Sequence, residues 1–297
     1  MRSRFQGCFT AIVTPMNPDG SIDYPSLQRL IDWQIGQGIH GLVVAGSTGE
    51  AATLTDEEQT ELIRFVVKTV NGRCVVIGGA SSNVTRQAIR RAEVVSDLGV
   101  DMLLSTSPYY NKPTMSGIVE HYRLQSAASK VPVIAYNVPG RTGSNITADT
   151  TRRLEDLPNM GGIKEASASV VQVLTVLKNR SRRDFHVWLG EDSHMLPLMA
   201  CGADGLISVA SNEIPGPLSK VAELALAGKT ADAAAVFLKV LDLLEANFWE
   251  SNPIPVKYIL SRMGFVQEQY RLPLVPASDA TKKRLDDLAA SLGLYHV

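Results

Sequence analysis

VPVIAYNVPGRTGSNITADTTRRLEDLPNMGGIK, residues 131–164, sets two short apolar runs, 131–136 and 161–164, on either side of a longer and more polar stretch. Each run is apolar on nearly every residue rather than on alternate ones, the pattern of a strand covered on both faces in a parallel sheet. Six further runs of the same kind lie outside it, at 8–13, 41–45, 74–77, 101–105, 186–189 and 205–209. Longer amphipathic stretches separate them. In 56–70, Leu62, Phe65, Val66 and Val70 recur at helical spacing, and Thr55 with Glu58 three residues later supplies a capping box. Asp23 followed by Pro25 opens an earlier helix in a similar way. Eight alternations of strand and helix predict an α/β fold of the closed (β/α)8 TIM-barrel type rather than a doubly wound sheet, which holds fewer strands.

The chain continues past the eighth run further than one closing helix needs. Residues 214–227 supply that helix, and 231–248, 255–263 and 278–292 read as three more. The expected organisation is a catalytic barrel over 1–228 and a C-terminal helical appendage over 229–297, packed on it without a flexible linker.

Composition removes several classes of function. The 29 basic and 30 acidic side chains of the 297 residues leave a nearly neutral chain, so no nucleic-acid partner is expected. No apolar run is long enough to span a membrane. Arg2 and Arg4 precede a stretch that Gly7 and Pro15 interrupt, which does not fit a signal peptide, and a cytoplasmic protein is expected. Cys8, Cys74 and Cys201 stand far apart in apolar or small-residue runs, as buried free thiols in a reducing compartment do. His40, His121, His186, His194 and His296 lack metal-ligand spacing, so no metal is expected. Met195, Leu196 and Met199 read as core packing. Gly228-Lys229-Thr230 has Glu223 where a phosphate-binding loop needs its first glycine.

A barrel enzyme works at the C-terminal ends of its strands. Here those ends carry Gly46-Ser47-Thr48-Gly49-Glu50, Ser107-Pro108-Tyr109-Tyr110-Asn111, Tyr136-Asn137-Val138-Pro139-Gly140-Arg141-Thr142-Gly143, Lys164-Glu165 and Gly190-Glu191-Asp192. Unlike the chain's other lysines, which fall in polar helices, loops or the C-terminal part, Lys164 closes an apolar strand. Burial there disfavours the ammonium and leaves an amine able to attack a ketone. Pairing with Glu165 is the structural alternative. Tyr136, at the end of the neighbouring strand, can relay protons in the same mouth. The 46–50 turn offers hydroxyls and backbone N–H groups to a carboxylate, and Arg141 can clamp a second one.

Taken together, Gly-Ser-Thr-Gly-Glu, Ser-Pro-Tyr-Tyr-Asn, Tyr-Asn-Val-Pro-Gly-Arg-Thr-Gly, Gly-Ile-Lys-Glu-Ala and Asn-Pro-Ile-Pro-Val-Lys (252–257) resemble the dihydrodipicolinate synthase family, within the N-acetylneuraminate lyase superfamily of lysine-dependent pyruvate aldolases. The resemblance spans roughly residues 5–295. It implies condensation of pyruvate with L-aspartate 4-semialdehyde in lysine and diaminopimelate biosynthesis, without an added cofactor because the covalent Schiff base is the electron sink. By resemblance, Lys164 forms the pyruvate iminium. Tyr136, Ser47 and Tyr110 form the proton relay, with Tyr110 reaching in from a partner subunit. Thr48 holds the pyruvate carboxylate, Arg141 that of the semialdehyde, and backbone groups of Gly190 and Ile207 complete the pocket. A homodimer, and a homotetramer built from two, is implied.

Two departures stand out. The relay usually uses threonine where this chain has Ser47, and Gly-Ser-Thr-Gly-Glu is common among N-acetylneuraminate lyases, so that lyase or a keto-deoxy-sugar-acid aldolase or dehydratase is the rival reading. Feedback-inhibited members bind lysine with His and Glu side chains where this chain has Asp56, Gln59 and Gln87, although Asn83 and Tyr109 fit. Losing the carboxylate at Gln87 removes a partner for the effector's ammonium, and weak or absent lysine inhibition is expected.

Overall fold

The computed structural model describes residues 3–295; Arg2 and His296 lie outside them. Eight strands close into one parallel barrel in chain order: β1 (Gly7–Ala11), β2 (Gly41–Val44), β3 (Val75–Gly79), β4 (Met102–Thr106), β5 (Val133–Asn137), β6 (Met160–Glu165), β7 (His186–Leu189) and β8 (Gly205–Ser208). β8 pairs back on β1 through Gly7 opposite Gly205 and Thr10 opposite Ser208. Every expected run becomes a strand, 186–189 with the expected ends and the others with shifted ones. Ile12 and Val13 stay buried but leave the sheet, where Val13 N donates to Asn212 Oδ1 at 3.1 Å. β3 instead runs on through Gly78 and Gly79, because a Cβ on Gly79 would lie 2.1 Å from Ala45 O; close strand contact is what the glycine permits.

Among the described residues, twelve α-helices accompany the strands: α1 (Tyr24–Gly36), α2 (Asp56–Val70), α3 (Thr85–Ser96), α4 (Met115–Ala128), α5 (Pro139–Thr142), α6 (Ala148–Glu155), α7 (Val170–Asn179), α8 (Met195–Ala200), α9 (Pro215–Leu226), α10 (Thr230–Ala246), α11 (Ile254–Arg262) and α12 (Asp279–Ser291). Both expected starts form. Asp23 accepts from Ser26 N at the head of α1, and Thr55 and Glu58 cap α2 reciprocally. The buried stripe of α2 is Gln59, Leu62, Ile63, Val66 and Val70. Phe65, half-buried, packs against the same core as Leu62, Val66 and Val70 and on Tyr24, with ring centroids 4.7 Å apart. α9 closes the barrel, α10 packs on α8 and α9, and α12 on α10 and α11.

Alternation along each strand divides the apolar residues into two cores. Phe9, Val43, Ile77, Leu104, Ile134, Tyr136, Trp188 and Ile207 fill the barrel interior. Cys8, Leu42, Val76, Leu103, Ala135, Ile163, Val187 and Leu206 face the helices. Met195, Leu196 and Met199 join that outer core. Trp188 is fully buried and donates from Nε1 to Phe5 O at 3.0 Å, closing the N-terminal end of the barrel.

The expectation of three buried thiols is corrected. All three cysteines are free, but only Cys8 is buried; Cys74 is half-buried and Cys201 exposed. Cys201 caps the C-terminus of α8, where Leu198 and Met199 already face the core and the following turn goes to solvent.

Candidate active site

Lys164 stands opposite Tyr136 of β5 and Trp188 of β7 in the sheet register. Because successive strand residues point to opposite faces, Ile163 and Glu165 turn toward the helices and Lys164 turns into the barrel. This excludes the Glu165 pairing. The Glu165 carboxylate accepts from Asn137 Nδ2 and Gln172 Nε2, each at 3.0 Å, and from Ser167 N at 2.8 Å. Lys164 is 6% exposed and its Nζ lies 4.4 Å from the centroid of the Tyr136 ring. No side-chain hydrogen bond or ion pair engages it among the described residues.

Burial draws the Lys164 pKa down to about 8, against the opposing pull of Asp192 and Glu191 and with a smaller contribution from the Arg141 charge. Burial pushes the Tyr136 phenol up to about 12, so its proton stays on at neutral pH. Gly190 makes room for the amine: a Cβ there would meet Ala166 Cβ at 2.6 Å and Lys164 Cε at 2.9 Å.

Beside Tyr136, the register neighbour of Lys164, opens a cavity of about 240 Å³, lined by Ser47, Thr106, Tyr109, Tyr136, Arg141 and Thr142 among others but not by Lys164 itself. Ser47 is exposed to it. Thr48 is buried, and its Oγ1 accepts from Asn252 Nδ2 at 2.9 Å. Arg141 sits on α5, exposed, with no carboxylate partner among the described residues; its Nη2 reaches only Asn252 O at 3.5 Å. Ile207 is fully buried in the barrel interior. Of the expected site residues, Lys164, Thr48, Gly190, Ile207 and Tyr110 do not line this cavity; the first four are buried in or beside the barrel, whereas Tyr110 is 89% exposed and left-handed at φ 70°.

The five residues of the expected effector site fall between α2, α3 and the 107–111 loop. Asp56 pairs with Arg91. Gln59 Nε2 donates to Ala51 O at 2.9 Å and Leu54 O at 3.2 Å, and Asn83 Nδ2 to Tyr109 O at 3.2 Å. Gln87 Oε1 already accepts from Ser82 Oγ at 3.0 Å. Asp56, Gln59 and Gln87 border a second cavity of about 480 Å³.

A model of the dihydrodipicolinate synthetase family matches residues 4–292. The chain belongs to this family. The 4-hydroxy-tetrahydrodipicolinate synthase of Pelodictyon phaeoclathratiforme is 44% identical over 296 residues, 99% of this chain and 100% of that one. Among solved structures, the chloride-inhibited dihydrodipicolinate synthase of Acinetobacter baumannii complexed with pyruvate is 40% identical with TM-score 0.96, covering 98% of this chain and 99% of that one. The enzyme of Cyanidioschyzon merolae with lysine bound is 37% identical with TM-score 0.95, covering 99% and 100%. As a member of the dihydrodipicolinate synthetase family, the chain is an enzyme of the lyase type.

Several residues at the site carry no expected role. Asp192 is fully buried; its carboxylate accepts from Ser208 Oγ at 2.9 Å and from Ala210 N at 2.7 Å, and burial pushes its pKa up to about 6. Lys257 is as buried as any residue of the core and pairs with Glu50. The signal for it was present: within 254–260, Lys257 is the one charged residue of a segment otherwise apolar apart from the Tyr258 hydroxyl.

Proposed function

We propose that the chain acts through Lys164, condensing pyruvate with L-aspartate 4-semialdehyde as a 4-hydroxy-tetrahydrodipicolinate synthase. The observation that carries this is an unpaired, buried amine in register with a buried phenol, which itself lines a cavity edged by an arginine that lacks a carboxylate. Neutral Lys164 attacks the pyruvate ketone, and loss of water gives an iminium whose methyl protons become acidic. Tyr136 retains its proton at neutral pH and so exchanges it with the intermediates rather than standing as a phenolate. Ser47 and Tyr110 are the remaining members of the relay. The enamine carbon then attacks the aldehyde, and the semialdehyde's amine displaces Lys164 as the ring closes.

Thr48 receives the pyruvate carboxylate, Arg141 the second carboxylate, and Gly190 and Ile207 shape the floor. No added cofactor is needed, since the protonated imine is the electron sink. Tyr110 points away from its own cavity, which supports a homodimer with exchanged tyrosines, and a homotetramer of two such dimers is part of the proposal; sedimentation of the native enzyme and of Tyr110→Phe tests it. No helix among the described residues is long and apolar enough to cross a membrane. A cytoplasmic place in lysine and diaminopimelate biosynthesis accompanies the family membership. Because Gln87 is neutral and already occupied by Ser82, lysine should inhibit weakly or not at all, and half-inhibition well below about 1 mM would refute this.

Borohydride reduction in the presence of pyruvate should add the reduced pyruvyl group to Lys164, and the enzyme should turn over aspartate semialdehyde. Absence of the adduct, or cleavage of N-acetylneuraminate with no turnover of the semialdehyde, would overturn the reading.

A further inference from the structure

The turn assigned to the pyruvate carboxylate is bracketed by two residues in the left-handed region, Ala45 at φ 54° and Glu50 at φ 57°. Side chains with a Cβ adopt this conformation at a cost, and it persists where surrounding structure imposes it. What surrounds Glu50 comes from outside the barrel. Lys257 of α11 donates from Nζ to Glu50 Oε1 at 2.6 Å and to Thr14 O at 3.1 Å, and neither charged side chain has any exposure. The second carboxylate oxygen, Oε2, accepts from Arg271 N at 3.2 Å, and the Tyr270 ring lies beside the ammonium, its centroid 5.1 Å away.

The same ammonium thus binds both sides of the turn's base, since Thr14 Oγ1 in turn donates to Gly49 O at 2.6 Å. One step earlier, Asn252 Nδ2 occupies an acceptor position on Thr48 Oγ1. That leaves the Thr48 hydroxyl proton free to point elsewhere, toward a carboxylate. A buried ion pair contributes little net stability over apolar side chains of the same volume. Its place beneath a strained turn therefore calls for a positional explanation.

We infer that Lys257 is a positioning residue for the reaction: through the Glu50 carboxylate it holds residues 46–49 in the form that receives the carboxylate of pyruvate. The inference rests on the assignment of Lys164 and the turn given above. It makes the C-terminal helical region part of the active site's support without contact with the substrate.

The test compares two ketones. Borohydride trapping at Lys164 is measured with pyruvate and with acetone, which offers the same methyl ketone without the carboxylate. An adduct with pyruvate on the wild-type enzyme checks the Lys164 assignment separately. In Lys257→Met the half-saturating pyruvate concentration should rise about tenfold or more, the effect of one charged hydrogen bond lost from the turn. Acetone trapping should stay within about twofold of wild type on the same scale. Equal losses for both ketones would mark general damage, and no loss for either would mark an idle pair; each overturns the inference. Glu50→Gln, which keeps the side chain's shape, is measured alongside by the same criteria and decides the matter if Lys257→Met does not fold. If neither variant folds, the pair belongs to the core rather than to the turn, and the inference falls.

Discussion

Lys164 and Lys257 are both buried on apolar segments, and they differ in what meets the ammonium. Lys257 has Glu50 Oε1 at 2.6 Å and the Thr14 carbonyl at 3.1 Å. Lys164 has the face of Tyr136 and no ion pair. Burial draws both pKa values down, but for Lys257 the Glu50 charge and hydrogen bond work against it. For Lys164 the opposing carboxylates, Asp192 and Glu191, do not touch the amine, and its pKa falls to about 8. Burial alone therefore does not make a nucleophile. It does so where the fold withholds a counter-charge, and the strand register withholds Glu165 by turning it to the other side of the sheet.

The sharpest way to break this contrast is to remove each amine in turn. Lys164→Met should lower synthase activity by about 10³-fold or more and abolish the borohydride adduct, since no other amine meets the pyruvate ketone. Its stability should rise. Holding a protonated lysine at a site where its pKa is about 8 rather than 10.5 costs on the order of 3 kcal/mol at neutral pH. Thermal melting at pH 7 checks this, and a fall in melting temperature would contradict the account of an unpaired ammonium.

Lys257→Met should do the reverse to stability. It leaves Glu50 buried without its partner, at a cost of about 3–5 kcal/mol, or roughly 10 °C in melting temperature for a chain of this size. An unchanged melting temperature would mean that Glu50 finds another donor or a proton. The two substitutions are chemically identical, so opposite signs would isolate the effect of pairing.

How much of this contrast could be read beforehand follows from the physics of each element. The barrel was legible because strands buried on both faces write continuous apolar runs, and Lys164 was legible because it closes one of them. The capping box at Thr55 and Glu58 was local and equally plain. Three features were not. Glu50 and Lys257 lie more than two hundred residues apart, and their pairing exists only once α11 returns over the barrel mouth. Asn252 is set against Thr48 by the same return. Cys201 sits in a run that reads as core, but its exposure depends on where α8 ends. Tyr110, expected to reach in from a partner subunit, is exposed on this chain and does not line its cavity.

A pH profile sharpens the comparison further. Lys164 attacks only as the neutral amine, so kcat/KM for pyruvate, which reports the free enzyme, should rise with pH and level off above about 8. Below that pH the rate should fall about tenfold per unit, as a single protonation requires. A midpoint near 10 would place Lys164 in a solvated or paired setting like that of an ordinary lysine and would remove the distinction from Lys257.

The smallest expected effect is on that midpoint. Arg141 is one of the charges that depress the Lys164 pKa, though it ranks after burial and after the two carboxylates that oppose it. Arg141→Met should therefore move the midpoint upward, by less than about one pH unit because the guanidinium is exposed and screened by solvent and salt. The same substitution should weaken use of aspartate semialdehyde far more than it shifts the pyruvate profile, since a bidentate arginine partner of a carboxylate contributes about 1.5–3 kcal/mol. Measured across ionic strength, the shift should shrink as salt rises while the semialdehyde defect persists. A downward shift would mean that Arg141 acts on Lys164 by keeping the Glu191 carboxylate ionised, so that its removal lets Glu191 take up a proton and stop supporting the ammonium, rather than by its own charge.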